Sequence, residues 1–283
     1  MRLFPAKSRP ITGSLSNMRL DIQHQTSFDY AVAPSYGLLQ LRMTPQSSPG
    51  QSVFAWDIAL EGARAQSRFF DQFGNIVELI ELLPGSDRVS IQVSGSLETL
   101  SETGVIGRHN QAMPLWFYTR QTALTEVTAP LKQLSARTKI DPDDALAGLH
   151  ALSQSILDRV TYTTGETDVT TRATDALARG KGVCQDHAHI FLSIVREQGF
   201  PARYVSGYLL MDDRTQQEAS HAWAEVYVKD LGWVGFDISN GISPDGRYVQ
   251  LAYGLDYNDA APTRGVTLGA QRENLIVSIQ VQQ

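Results

Sequence analysis

Residues 180–201 read Gly180-Lys181-Gly182-Val183-Cys184-Gln185-Asp186-His187-Ala188-His189-Ile190-Phe191-Leu192-Ser193-Ile194-Val195-Arg196-Glu197-Gln198-Gly199-Phe200-Pro201. Within this run Cys184, Ala188, Phe191, Leu192 and Val195 fall at i, i+4, i+7, i+8 and i+11, the spacing of one helix face. The spacing predicts a helix that Cys184 opens on its inward side. Gly199 stands at the C-terminal cap position and Pro201 two residues later, so the helix is expected to stop there.

Three strand-like runs follow, Arg203 to Met211, Ser220 to Val228 and Gly232 to Asp237. Helices followed by an antiparallel sheet make this half of the chain an α+β domain. In Ser220-His221-Ala222-Trp223-Ala224-Glu225-Val226-Tyr227-Val228 the even positions form an apolar face, and the other face carries His221, Trp223, Glu225 and Tyr227. A face of that composition is either a solvated sheet surface or the wall of a site. A three-residue loop, Lys229-Asp230-Leu231, sets Asp237 opposite Trp223 and diagonal to His221, within side-chain reach. A loop one residue later sends Asp237 to the other face.

Upstream, Asp141-Pro142-Asp143-Asp144 supplies an N-cap, a proline at the first helical position and acids in the first turn. A helix is expected from Pro142 to Val160, with Leu146, Leu149, Ile156, Leu157 and Val160 buried, and a shorter one over Thr171 to Ala178. Further upstream the chain alternates from Met18, with Leu20, Ile22, His24, Thr26, Phe28 and Tyr30 on one side, which is a half-buried strand. More strands are expected near 37–42, 52–60, 66–70, 76–83 and 89–94, with Asp71-Gln72-Phe73-Gly74-Asn75 as a hairpin connection. Short strands without a long helix suggest an antiparallel β-sandwich. His24 on its apolar face reads as a satisfied, semi-buried histidine. At the other end Leu275, Val277, Ile279 and Val281 alternate inward in a last strand. The expected division is an extension at 1–17, a β-sandwich domain at 18–105 and an α+β core at 106–283.

A length of 283 residues and 42% hydrophobic content suit a folded chain with a sizeable core. The net charge of −6 gives no footprint for nucleic acid or an anionic membrane. No apolar run approaches a membrane helix, and residues 1–17 hold no apolar core of a secretory signal. Met18, where the strand pattern begins, is an alternative start. With one cysteine in the chain no intramolecular disulfide forms, which is compatible with a cytoplasmic location.

A thiol attacks as thiolate, and the first turn of a helix favours that anion through its free N–H groups and dipole. Cys184 occupies that position. Gly180 and Gly182 would let a substrate approach the backbone, Lys181 adds positive charge, and Asp186 opposes the thiolate unless paired elsewhere. The competing reading of a lone cysteine is a small buried hydrophobe. His221 is the proton acceptor such a site requires, Trp223 a wall, and Asp237 either an acid orienting the imidazole or a strand-end turn residue. A metal site from Cys184, His187 and His189 fits poorly, because His189 turns away from the helix face shared by the other two.

The blocks GVCQDHAH, SHAWAEVYV and GWVGFD, in that order, resemble the signature motifs of the bacterial transglutaminase-like superfamily, whose core is a papain-like thiol acyl-transfer domain. Tyr162 to Thr171, Pro201 to Tyr208 and Tyr253 to Tyr257 also read like that family, and the β-rich region is similar to the domain that often precedes the core. The resemblance implies that Cys184 is the nucleophile, His221 the general base and then acid, and Asp237 the holder of the imidazole tautomer, with Gly182 and Trp223 at the substrate. It implies a transglutaminase-like cysteine hydrolase or acyltransferase acting on a protein or peptide amide through a thioester, resolved by water, with no cofactor. Transfer to an amine, giving protein crosslinks, is the alternative reaction. A non-catalytic binding module on the same fold is the alternative class. Family members commonly carry an aromatic where His187 stands and Pro-Thr where Ile238-Ser239 follows the aspartate.

Overall fold

The computed structural model describes residues 17–100, 104–110, 112–211 and 215–283, with the backbone alone at 272 and 273. Apart from Asn17, the extension assigned to residues 1–17 lies outside the described residues, as does the charged cluster at 212–214. Six strands open the chain: β1 (Met18–Val32), β2 (Tyr36–Leu41), β3 (Gln51–Glu61), β4 (Ala63–Phe70), β5 (Ile76–Leu82) and β6 (Arg88–Thr99). The period of two in β1 holds, with Leu20, Ile22, His24, Thr26, Phe28 and Tyr30 all buried. The connection at 71–75 is a hairpin in which Asp71 Oδ1 accepts from the Phe73 and Asn75 amides.

After β7 (Val105–Gly107) come α1 (Ala129–Arg137), α2 (Ala145–Leu157), β8 (Thr161–Tyr162), α3 (Ala173–Arg179), β9 (Lys181–Gly182) and α4 (Cys184–Glu197). Then follow β10 (Ala202–Leu209), β11 (Gln216–Gln217), β12 (His221–Val228), β13 (Gly232–Phe236), β14 (Tyr248–Gly254), α5 (Tyr257–Ala260), β15 (Thr263–Leu268) and β16 (Gln271–Gln282). The helix expected over 142–160 is shorter. Pro142–Asp144 forms a 3-10 turn capped by Asp141, and Asp144, at φ −130°, sits off the helical conformation before α2 begins. At the other end the chain leaves the helix so that Thr161 can pair with Gly180. Leu152 joins the buried stripe, while Leu146 and Leu157 are only partly covered.

Among the described residues, β11-β16-β1-β6-β3 and β15-β2-β5-β4 form two antiparallel sheets. They share an apolar cluster that includes Phe28, Tyr30, Leu39, Leu41, Ile80, Val89 and Ile91. The C-terminal strand thus returns to β1, with Ile279 and Val281 buried as the alternation predicts; Leu275 is an exception, half exposed where the apolar cover ends.

The third sheet, β14-β10-β12-β13-β7, carries α4 on the face of Ala222, Ala224 and Val226. Every side chain of α4 from Cys184 to Arg196 is buried, so the amphipathic stripe understates its burial. Arg196 finds its partners inside, donating to the carbonyls of Ala202 and Leu255. Gly199, at φ +88°, ends the helix in the left-handed region, where a side chain would be strained. The opposite sheet face is not solvated either. Arg203 pairs with Glu225 at 2.6 Å and lies 4.3 Å from the centre of the Trp233 ring, all three buried.

His24 is buried and satisfied, with Nδ1 2.8 Å from the Tyr208 hydroxyl and Nε2 2.9 Å from that of Thr26. Burial lowers its pKa to about 4, and burial likewise lowers that of His189 to about 4. Each histidine binds a proton near pH 6.5 when unfolded but resists it when folded, so stability falls as pH drops from about 6.5 to about 4. The expected slope is up to roughly 1.4 kcal/mol per pH unit for each group. Urea unfolding across this range should show a shallower slope in His24→Gln than in the native chain.

Candidate active site

Cys184 is the first residue of α4 and only 9% exposed. The parallel pairing of β8 with β9 delivers the chain to it, Tyr162 standing beside Gly182. Asp186 does not confront the thiol as an unpaired charge. Its Oδ2 accepts from the Val183 amide at 2.8 Å and from the Thr167 hydroxyl at 2.7 Å, closing the N-terminus of α4. Burial raises its pKa, against the pull of those two donors. A Cβ at Gly182 would lie 2.7 Å from that of Asp186, so the glycine is required by the cap, whatever else approaches it. Lys181 is not the electrostatic aid expected, because its ammonium pairs with Glu166 at 2.7 Å on the surface.

The β12–β13 hairpin has the three-residue loop, with Val228 opposite Gly232 and Ala224 opposite Phe236. That register carries Asp237 to the face of His221, and the His221 Nε2 to Asp237 Oδ2 distance is 2.6 Å. Asp237 is fully buried. Its Oδ2 also accepts from the Tyr248 hydroxyl and from Asn240 Nδ2, both at 2.7 Å, and its Oδ1 from the Asn240 amide at 3.2 Å. Burial would raise the Asp237 pKa, but His221, Tyr248 and Asn240 together hold it below the usual carboxylate value. For His221, burial opposes the charged form, yet the Asp237 carboxylate and a hydrogen bond with Cys184 raise its pKa to about 10. The structure thus brings Cys184, His221 and Asp237 together in that order.

Trp223 is buried with its ring 6.3 Å from that of His221, nearly parallel, and edge-on to Tyr248 at 5.5 Å. It borders a cavity that Tyr248, Glu225 and Gln250 also line. His189 is turned away from the thiol: its Nε2 accepts from the Tyr257 amide, and its ring packs on Tyr204. His187 is committed elsewhere, to the Val160 carbonyl and the Ser239 hydroxyl. His187 and Ser239, both among the departures from the pattern that the chain otherwise resembles, therefore meet each other. Tyr248 and Asn240 were not singled out from sequence. Asn240 had a local signal, an amide three residues after a strand-end aspartate. Tyr248 had none, since its place depends on β14 pairing with β10 at Leu209.

Residues 132–238 match the model of the transglutaminase-like superfamily, and residues 20–98 match that of the bacterial transglutaminase-like N-terminal region. The chain is 28% identical over 282 residues to an uncharacterized protein of Mycobacterium leprae, covering 93% of this chain and 98% of the relative. An uncharacterized protein of Mycobacterium tuberculosis is 26% identical over 301 residues, covering 97% of this chain and 94% of the relative. Among solved structures, a candidate cysteine protease of Cytophaga hutchinsonii superposes with a TM-score of 0.74 at 18% identity, over 95% of this chain and 92% of that one.

Tyr248→Phe removes one donor from a buried carboxylate. It should lower the unfolding free energy by about 1.5–3 kcal/mol at neutral pH. Because the folded pKa of Asp237 is depressed, the stability it contributes is present above the ordinary aspartate value and is lost as pH falls through the folded one. The gap between native and variant protein in urea unfolding should therefore close in acid.

Proposed function

We propose that this chain, which belongs to the transglutaminase-like superfamily and carries the bacterial N-terminal region ahead of its core, is a cysteine hydrolase of carboxamide or peptide bonds. In this reading the N-terminal sheets form a β-sandwich and the remainder a papain-like core. The observation that supports it most directly is the buried His221–Asp237 hydrogen bond at 2.6 Å, beside a thiol at the first turn of a helix.

Asp237 occupies Nε2 of His221, which leaves Nδ1 for the thiol. Cys184 gives its proton to Nδ1, and the imidazolium that results is stabilised by the Asp237 carboxylate. The thiolate attacks the carbonyl carbon, and the oxyanion forms beside the free backbone amides at the start of α4. As the C–N bond breaks, His221 returns its proton to the departing amine or ammonia and a thioester remains. Water, deprotonated by His221, attacks the thioester and releases the acid and the free thiol.

Alkylation of the single thiol by iodoacetamide tests the pairing. In the native protein labelling should stay fast well below the free-thiol pKa of about 8.5, and His221→Ala should slow it roughly tenfold or more near pH 6.5. Slow labelling that the substitution leaves unchanged would sink the catalytic reading and favour a binding module on the same fold. Release of acid from peptide amides, absent in Cys184→Ala, should accompany the fast labelling.

A further inference from the structure

His187 lies one helical turn beyond Cys184 and is fully buried, yet it touches no reacting atom in the scheme above. Its Nε2 is 2.9 Å from the Val160 carbonyl oxygen and its Nδ1 is 2.8 Å from Ser239 Oγ. A carbonyl only accepts, so the ring hydrogen sits on Nε2 and Nδ1 is an acceptor. The Ser239 hydroxyl therefore donates to His187. Ser239 is two residues beyond Asp237, inside the turn that the Asp237–Ile242 backbone bridge closes. The same turn supplies both Asn240 donors to the Asp237 carboxylate. One end of the Ser239–His187 contact is thus fixed to the helix of the nucleophile, and the other to the turn that presents the acid.

Resting on the proposed thiol mechanism for its functional meaning, we infer that the Ser239–His187 hydrogen bond is the tether that sets the Asp237 turn against the Cys184 helix. His187 and Ser239 are positioning residues. Without the tether the turn keeps the packing of Ile238 in the apolar cluster that α4 shares but loses its polar bond to the helix, and Asp237 has latitude to move off His221 Nε2. Groups on every element around His221 bear on the outcome: Asp237 and Asn240 from the turn, Tyr248 from β14, Cys184 from α4 and Trp223 from its own strand. Of these, the Asp237 and Asn240 positions depend directly on Ser239.

The test is an NMR titration of the His221 ring in native protein, Ser239→Ala and Ser239→Thr. Ser239 is half-buried, so both variants are expected to fold, which their thermal unfolding checks. The His221 midpoint should fall by roughly one pH unit or more in Ser239→Ala and return to the native value in Ser239→Thr, which keeps the hydroxyl. A native midpoint in Ser239→Ala overturns the tether, and so does a loss that Ser239→Thr does not restore. A role in folding alone would lower the melting temperature without moving the midpoint. This readout needs no turnover: if His221→Ala fails to change thiol labelling, the hydrolase reading falls while the titration still decides the tether.

Discussion

A fully buried carboxylate is tolerated only when its lone pairs are met by donors, and Asp237 sets that requirement for the whole core. Its donors come from β12, from β14 and from the turn that follows β13. To bring a residue from each to one point, the sheet must run β14-β10-β12-β13, with β10 crossed by the side chains that meet on either side of it. Gly207 on β10 stands opposite His221 and makes that crossing possible. A Cβ there would lie 2.7 Å from the Trp223 ring and 2.0 Å from the Val249 carbonyl. The missing side chain leaves room for Trp223 and Tyr248 to pack beside the imidazole.

The strand that carries Tyr248 is itself at the edge of the sheet, where open backbone groups would ordinarily face water or another strand. The N-terminal region covers them. Gln51 donates to the Gln250 carbonyl and accepts from the Gln250 amide, while Asn75 does the same for Tyr253. Two side-chain amides thus act as a partner strand for β14. His24 with Tyr208 adds a further bond between β1 and β10. The β-rich region is therefore part of what holds Tyr248, and through it Asp237, in place.

What could be read from sequence follows the range of the interactions. The α4 helix, its glycine stop and the β12–β13 register depend on residues within a few positions of one another, and the three-residue loop alone places Asp237 on the face of His221. Lys181 misled because its partner, Glu166, lies in a loop with no periodic pattern, so its charge looked free. Gly182 invited a substrate reading although Asp186, four residues on, already explains it. Leu275 fits the alternation of its strand but lies where the apolar cover has ended, which no single-strand pattern reports. Tyr248 and the Ser239–His187 contact join segments far apart in the chain, and only the assembled sheet brings them together.

Burial of α4 on all sides gives these contacts their consequence. A helix with one solvated face can shift against its sheet at small cost, whereas one enclosed by α1, α2, α3 and the sheet has its position fixed by close packing. Cys184 inherits that fixity at the helix N-terminus, and Asp237 inherits it from its hydrogen bonds. Between them the His221 ring has Nε2 bonded to Asp237 and a hydrogen bond with Cys184. The orientation of the imidazole is therefore settled during folding, and under the proposed mechanism that is the condition in which oriented dipoles and charges stabilise a transition state most.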